Sequence, residues 1–171
     1  MINNLIKSLT ESERKLLVEN NRVEGEDFFE AHEDAALAWC YAKAERLRPA
    51  TLNYVKNIHY ALMRRLNPEI AGRFREKKVY VGNRDDCSLP GKVKSDMEKW
   101  CKEFNLAKKD EDEIIKEYIR FMKIHPFEDG NGRTGRILMN IQRINNGYGL
   151  HIIMRSDKIV QGEDDYYGLF R

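Results

Sequence analysis

Twelve consecutive residues, His125-Pro126-Phe127-Glu128-Asp129-Gly130-Asn131-Gly132-Arg133-Thr134-Gly135-Arg136, break the helical rhythm of this chain and fix where two helices must meet. Apolar residues recur at helical spacing from Ile114 to Met122 and again from Thr134 to Asn145, where Asn146 and Gly147 read as a stop. The same period runs through most of what precedes. Thr10 and Glu13 have capping-box spacing ahead of Leu16, Leu17 and Val18, and Asn20 and Asn21 interrupt that first helix. A second helix is expected from Glu26 to Arg46, stopped by Pro49, a third from Ala50 to Arg65, and a fourth around Val93, Met97 and Trp100. Only Lys78, Val79, Tyr80 and Val81, closed by Gly82 and Asn83, read as a strand and turn, with Cys87, Ser88 and Leu89 as the return. The expected class is all-α, with one small β-hairpin and a loop over residues 124–133.

With 171 residues the chain is long enough for one domain with a real core. Its 30 basic and 28 acidic side chains nearly cancel, leaving a formal charge of +2, which excludes bulk nucleic-acid binding as the expected role. Cys40, Cys87 and Cys101 form neither a disulfide framework nor a metal pair. No apolar run is long enough for a membrane span or a signal peptide, so a cytoplasmic protein is expected. His32, His59 and His151 lack metal-ligand spacing and read as structural or surface residues, and Trp39 and Trp100 as core. The basic run Arg73, Arg75, Lys77 and Lys78 reads as a solvated hairpin edge.

The loop itself carries chemistry. Gly130 and Gly132 around Asn131 let the backbone point successive N–H groups into one concavity. That concavity opens onto the N-terminus of the next helix, where free amides and the dipole favour an anion. Arg133 and Arg136 lie one turn apart and can grip different phosphates of one polyphosphate. Asp129 offers a hard oxygen ligand for magnesium, which binds through one or two carboxylates plus phosphate oxygens. His125 has the ordinary pKa of a general base, and Phe127 between them is expected to point into the core. Any one of these features is commonplace; a dozen residues holding all of them mark a phosphate site.

The segment resembles, at each defining position, the Fic-family motif HxFx(D/E)GNGRxxR. Gly72-Arg73-Phe74-Arg75 followed by Val79-Tyr80-Val81-Gly82 resembles the family's flap, and Ile124, Leu138-Met139-Asn140 and Asp165-Tyr166-Tyr167 are also similar to Fic sequence. The resemblance implies a Fic-type helical domain whose activity is transfer of AMP from ATP to a protein hydroxyl. His125 would be the base, Asp129 the magnesium ligand, and Gly130, Asn131, Gly132, Arg133 and Arg136 the phosphate contacts. Asn140 and Tyr166 would face the nucleoside, and Val81, Gly82 and Asn83 would align the target protein by strand addition. It also implies a homodimer as one form of assembly. Family members usually continue past Tyr166 and Tyr167 through the rest of a helix, so Leu169 is expected near the end of the ordered chain.

Residues 20–26 resemble the inhibitory segment (S/T)xxxE(G/N) of autoinhibited Fic proteins, with Asn20 in place of Ser or Thr. Glu24 would pair with Arg136 and take the arginine that orients the γ-phosphate. The chain is accordingly divided into an N-terminal helical region with this motif, residues 1–30, and a Fic core, residues 31–171. The alternatives are AMP removal assisted by Glu24, transfer of phosphate or phosphocholine, and a non-catalytic nucleotide-binding module.

Overall fold

The computed structural model describes residues 6–81, 86–106 and 108–154. Six α-helices lie wholly within them: α1 (Glu11–Arg22), α2 (Phe29–Glu45), α3 (Leu52–Met63), α4 (Val93–Phe104), α5 (Glu111–Ile124) and α6 (Asn131–Asn145). A short 3-10 turn, Pro90–Lys92, leads into α4. Neighbours in sequence pack as neighbours in space, and α6 is the hub, touching α1, α2, α3 and α5. From Arg133 to Arg143 every residue of α6 is buried, which makes it a central helix rather than an amphipathic surface one. Trp39, Ile58, Leu62, Met97, Trp100, Tyr118, Phe121 and Ile137 are buried in one core.

The helix starts follow local chemistry. Thr10 caps α1 as a capping box with Glu13, Thr51 caps α3, and Asp110 forms a second capping box with Glu113 at the start of α5. Asn20 and Asn21 do not interrupt α1, contrary to the sequence expectation. They stay helical because their side chains are spent on tertiary partners, Arg133 and Arg136 for Asn20 and His32 for Asn21. The turn comes later, where Gly25 adopts φ +82°.

The expected hairpin is not seen among the described residues. Among the described residues there is no strand: residues 76–80 are irregular, Val81 makes a lone bridge, and Cys87–Leu89 run irregularly with Ser88 N–H donating to the carbonyl of Lys123. Gly82 and Asn83, the expected turn, lie outside the described residues.

Helix α1 is anchored by one buried carboxylate. Glu13 accepts from the backbone N–H of Thr10 at 2.8 Å and from Trp39 Nε1–H at 3.0 Å, and pairs with Lys43. Burial works to raise its pKa, but the bonds from Lys43, Thr10 and Trp39 outweigh it and hold the carboxyl down to about 2. Stability from Glu13 is thus fully present above its ordinary value of 4.5 and lost as the pH falls toward 2. Replacing Glu13 with Gln should lower unfolding stability by about 2 kcal/mol at neutral pH, measured by urea denaturation.

Candidate active site

The site is the junction of α5 and α6. Helix α5 ends with His125 as its C-cap in the left-handed region, φ +51° and ψ +62°, a conformation that costs a non-glycine residue energy. The side chain of Asn131 then closes the loop: Oδ1 accepts from Phe127 N–H and Nδ2 donates to Phe127 C=O, both at 2.9 Å. Asp129, exposed, accepts the N–H of Gly130 at 2.6 Å. Gly130 has φ +73°, and a Cβ there would meet Met63 Sδ at 2.9 Å, so only glycine fits. The first intrahelical bond of α6 runs from Thr134 N–H to Gly130 C=O, which leaves the amides of Asn131, Gly132 and Arg133 ahead of the ladder at the positive end of the helix.

The ring of His125 has one defined tautomer. Its Nδ1 lies 3.3 Å from the carbonyl of Met122, and a carbonyl only accepts, so Nδ1 bears the proton and Nε2 carries the lone pair. Burial, with a smaller contribution from the charge of Arg75, pushes its pKa below the ordinary 6.5, so the ring is neutral at pH 7.

Both arginines of the motif are buried. Arg133 is 1% exposed, donates to Met63 Sδ at 3.1 Å, and has no hydrogen-bond partner for Nε or Nη1 among the described residues. A guanidinium buried this way is costly unless an anion is brought to it. Arg136, 2% exposed, is engaged: Nε donates to Asn20 Oδ1, and Nη2 donates to Asn20 C=O at 3.0 Å and to Glu24 Oε1 at 2.7 Å. Glu24 Oε1 also lies against Gly132, 2.5 Å from where a Cβ would stand. A carboxylate thus occupies the glycine cradle that the sequence assigns to phosphate.

The other expected residues are placed as follows. Phe127 is fully buried, its ring stacked on His59 with centroids 3.7 Å apart and tilted against Phe74 at 5.4 Å. Asn140 is fully buried within α6 and its amide is spent on backbone, donating to Arg136 C=O and His151 C=O and accepting from His151 N–H. Val81 is half-buried. Tyr166 lies outside the described residues.

Two residues of the site escaped the sequence reading. His59 accepts the N–H of Gly72 on Nδ1 at 2.9 Å, so its Nε2–H donates to the carbonyl of Asp129, also at 2.9 Å. It is a neutral clamp between the loop and the segment after α3, and no local pattern announces it. Arg75 is 3% exposed, not part of a solvated edge, because its guanidinium is drawn onto the free carbonyls at the end of α5. Among the described residues no group of three or more His, Cys, Asp or Glu side chains could hold a metal ion by itself. No helix there is long and apolar enough to cross a membrane.

The chain belongs to the Fic/DOC family, whose profile matches residues 49–142. It is 32% identical over 162 residues to the protein adenylyltransferase Fic of Nematostella vectensis, covering 90% of this chain and 34% of that protein. Identity to the protein of the same name from Drosophila ananassae is 28% over 155 residues, 85% of this chain and 31% of that one. The chain thus spans about a third of the length of these curated relatives. Among solved structures, a Fic-domain-containing signalling protein from Bacteroides thetaiotaomicron shares the fold with a TM-score of 0.77 at 17% identity, over 99% of this chain and 80% of that chain. Fic-1 from C. elegans gives 0.74 at 17% identity, over 98% and 57%.

Burial pushes the pKa of His59 down to about 4, against an ordinary 6.5. The unfolded chain therefore binds a proton that the folded one refuses, and stability is fully present above 6.5 and lost as the pH falls toward 4. Over that window wild type should lose about 3 kcal/mol more than His59→Gln, read from urea denaturation at stepped pH.

Proposed function

We propose that this chain transfers the AMP moiety of ATP to a hydroxyl of a protein, with His125 as general base and Glu24 as an intramolecular brake. The observation that carries this reading is the Glu24 carboxylate, which lies on Gly132 and pairs with Arg136 beside Arg133, whose Nε and Nη1 have no hydrogen-bond partner among the described residues. An anion already rests where an anionic substrate would, and a second cation waits without one. The two relatives named protein adenylyltransferase support the same reaction class.

In this reading His125 Nε2 takes the proton of a Ser, Thr or Tyr hydroxyl. The oxygen attacks the α-phosphorus in line, and pyrophosphate leaves from the opposite side. The amides of Asn131, Gly132 and Arg133 and the guanidinium of Arg133 hold phosphate oxygens, and Arg136 joins them once Glu24 has moved aside. Catalysis is then chiefly positioning and charge stabilisation. Magnesium fits the donor set: Asp129 supplies one exposed carboxylate, and this metal characteristically takes one or two carboxylates plus substrate phosphates. When bound, it would neutralise charge on the α- and β-phosphates. The brake is releasable because Glu24 keeps 30% of its side chain exposed, so its displacement does not strand a carboxylate away from water.

The test is incubation of wild type, Glu24→Gly and His125→Ala with α-labelled ATP, magnesium and a cell lysate, with γ-labelled ATP in parallel. Strong α-label is expected with Glu24→Gly and weak label with wild type. His125→Ala should lose at least about a hundredfold. Label from the γ-position alone would replace this reading with phosphate transfer, and no label from any variant would sink the transferase.

A further inference from the structure

The bonds made by Arg75 converge on the catalytic histidine. Its backbone N–H donates to the carbonyl of Pro126 at 2.9 Å, its Nε to the carbonyl of His125 at 2.6 Å, and its Nη2 to the carbonyl of Ile124 at 3.3 Å. One residue therefore holds three successive carbonyls, those immediately around the base. The same guanidinium reaches the chain on either side of the expected flap: Nη1 donates to Lys77 C=O at 2.8 Å, and Nη2 also donates to Ser88 C=O.

Two physical facts make this more than a helix cap. His125 stands in the left-handed region, where a non-glycine residue persists only if its surroundings over-determine it. And Arg75 is a cation only 3% exposed that pairs with no carboxylate among the described residues, an expensive arrangement that carbonyl oxygens and the negative end of α5 must offset. The fork of a guanidinium can bridge all these acceptors at once; an ammonium on a flexible stem cannot.

We infer that Arg75 is a positioning residue for the reaction: by holding the carbonyls of Ile124, His125 and Pro126 together with those of Lys77 and Ser88, it sets the base and the chain beside the flap in one register. The inference rests on the transfer reading of the site. It predicts a split effect, because the nucleotide contacts sit on α6 and the loop before it, which Asn131 and His59 hold independently of Arg75. Loss of the guanidinium should slow transfer while leaving nucleotide binding intact.

The test places Arg75→Lys and Arg75→Ala in the Glu24→Gly protein and reads three quantities: ATP affinity by calorimetry, α-label transfer to lysate proteins, and the titration of the His125 imidazole by NMR. In Arg75→Lys, ATP affinity should stay within about twofold, transfer should fall at least about tenfold, and the His125 midpoint should climb toward about 6.5 as the ring gains water. Guanidinium ion added to Arg75→Ala should restore the low midpoint, and methylammonium should not. An unchanged His125 midpoint in both variants would overturn the inference. So would loss of folding in both with no recovery on added guanidinium, which would assign Arg75 to fold stability alone. Absence of transfer in the Glu24→Gly parent would instead defeat the transfer reading, and the His125 titration would still decide the role of Arg75.

Discussion

Two guanidinium groups buried in the first turns of one helix, beside its positive end, are the constraint around which this structure is arranged. Taking such charges out of water costs several kcal/mol each unless partners replace the lost hydration, and the helix N-terminus adds charge of the same sign. The chain answers unevenly. Arg136 receives the side chain and carbonyl of Asn20 and the carboxylate of Glu24, all from α1. Arg133 receives a thioether sulfur and little else. The result is a junction short of negative charge, with one carboxylate brought to it from outside α5 and α6.

That carboxylate explains why α1 is fastened as it is. A helix that brings Glu24 to Gly132 must be held in register, and polar pins do this along its length. Glu13 locks its start to Trp39 and Lys43 on α2. At its end Asn21 meets His32, which contacts Asp27, which pairs with Arg22. Between these pins Asn20 sits on α6 itself, donating to Arg133 C=O at 3.2 Å while accepting from Arg136. In the resembling motif this position is Ser or Thr; the longer amide here donates and accepts at once, a bridging role that a hydroxyl would fill with shorter reach.

How much of this was legible in the sequence depended on distance along the chain. The capping box of Thr10 and Glu13 and the all-helical class are local patterns that stand where the spacing put them, while the loop after His125 is shorter than expected, because α6 begins at Asn131 rather than near Arg133. The pairing of Glu24 with Arg136 spans 112 residues and was expected only through resemblance to a longer motif. His59 and Arg75, which hold the loop from 70 and 50 residues away, left no trace, because a buried histidine on a helix face and an arginine in a basic run look like many others. The hairpin is not seen among the described residues, and its expected turn, Gly82 and Asn83, lies outside them. Alternation at residues 78–81 signals a strand, while Ser88, expected on the return, donates its N–H to Lys123 at the end of α5.

The central claim is that the carboxylate of Glu24 stands in for a substrate phosphate, so the two must compete. Calorimetry of ATP binding to wild type and to the isosteric Glu24→Gln tests this most directly. Removing the charge while keeping the shape should tighten ATP by about tenfold, equivalent to about 1.4 kcal/mol. Equal or weaker binding in Glu24→Gln would contradict the account, because it would mean that the carboxylate and the phosphates do not share a site.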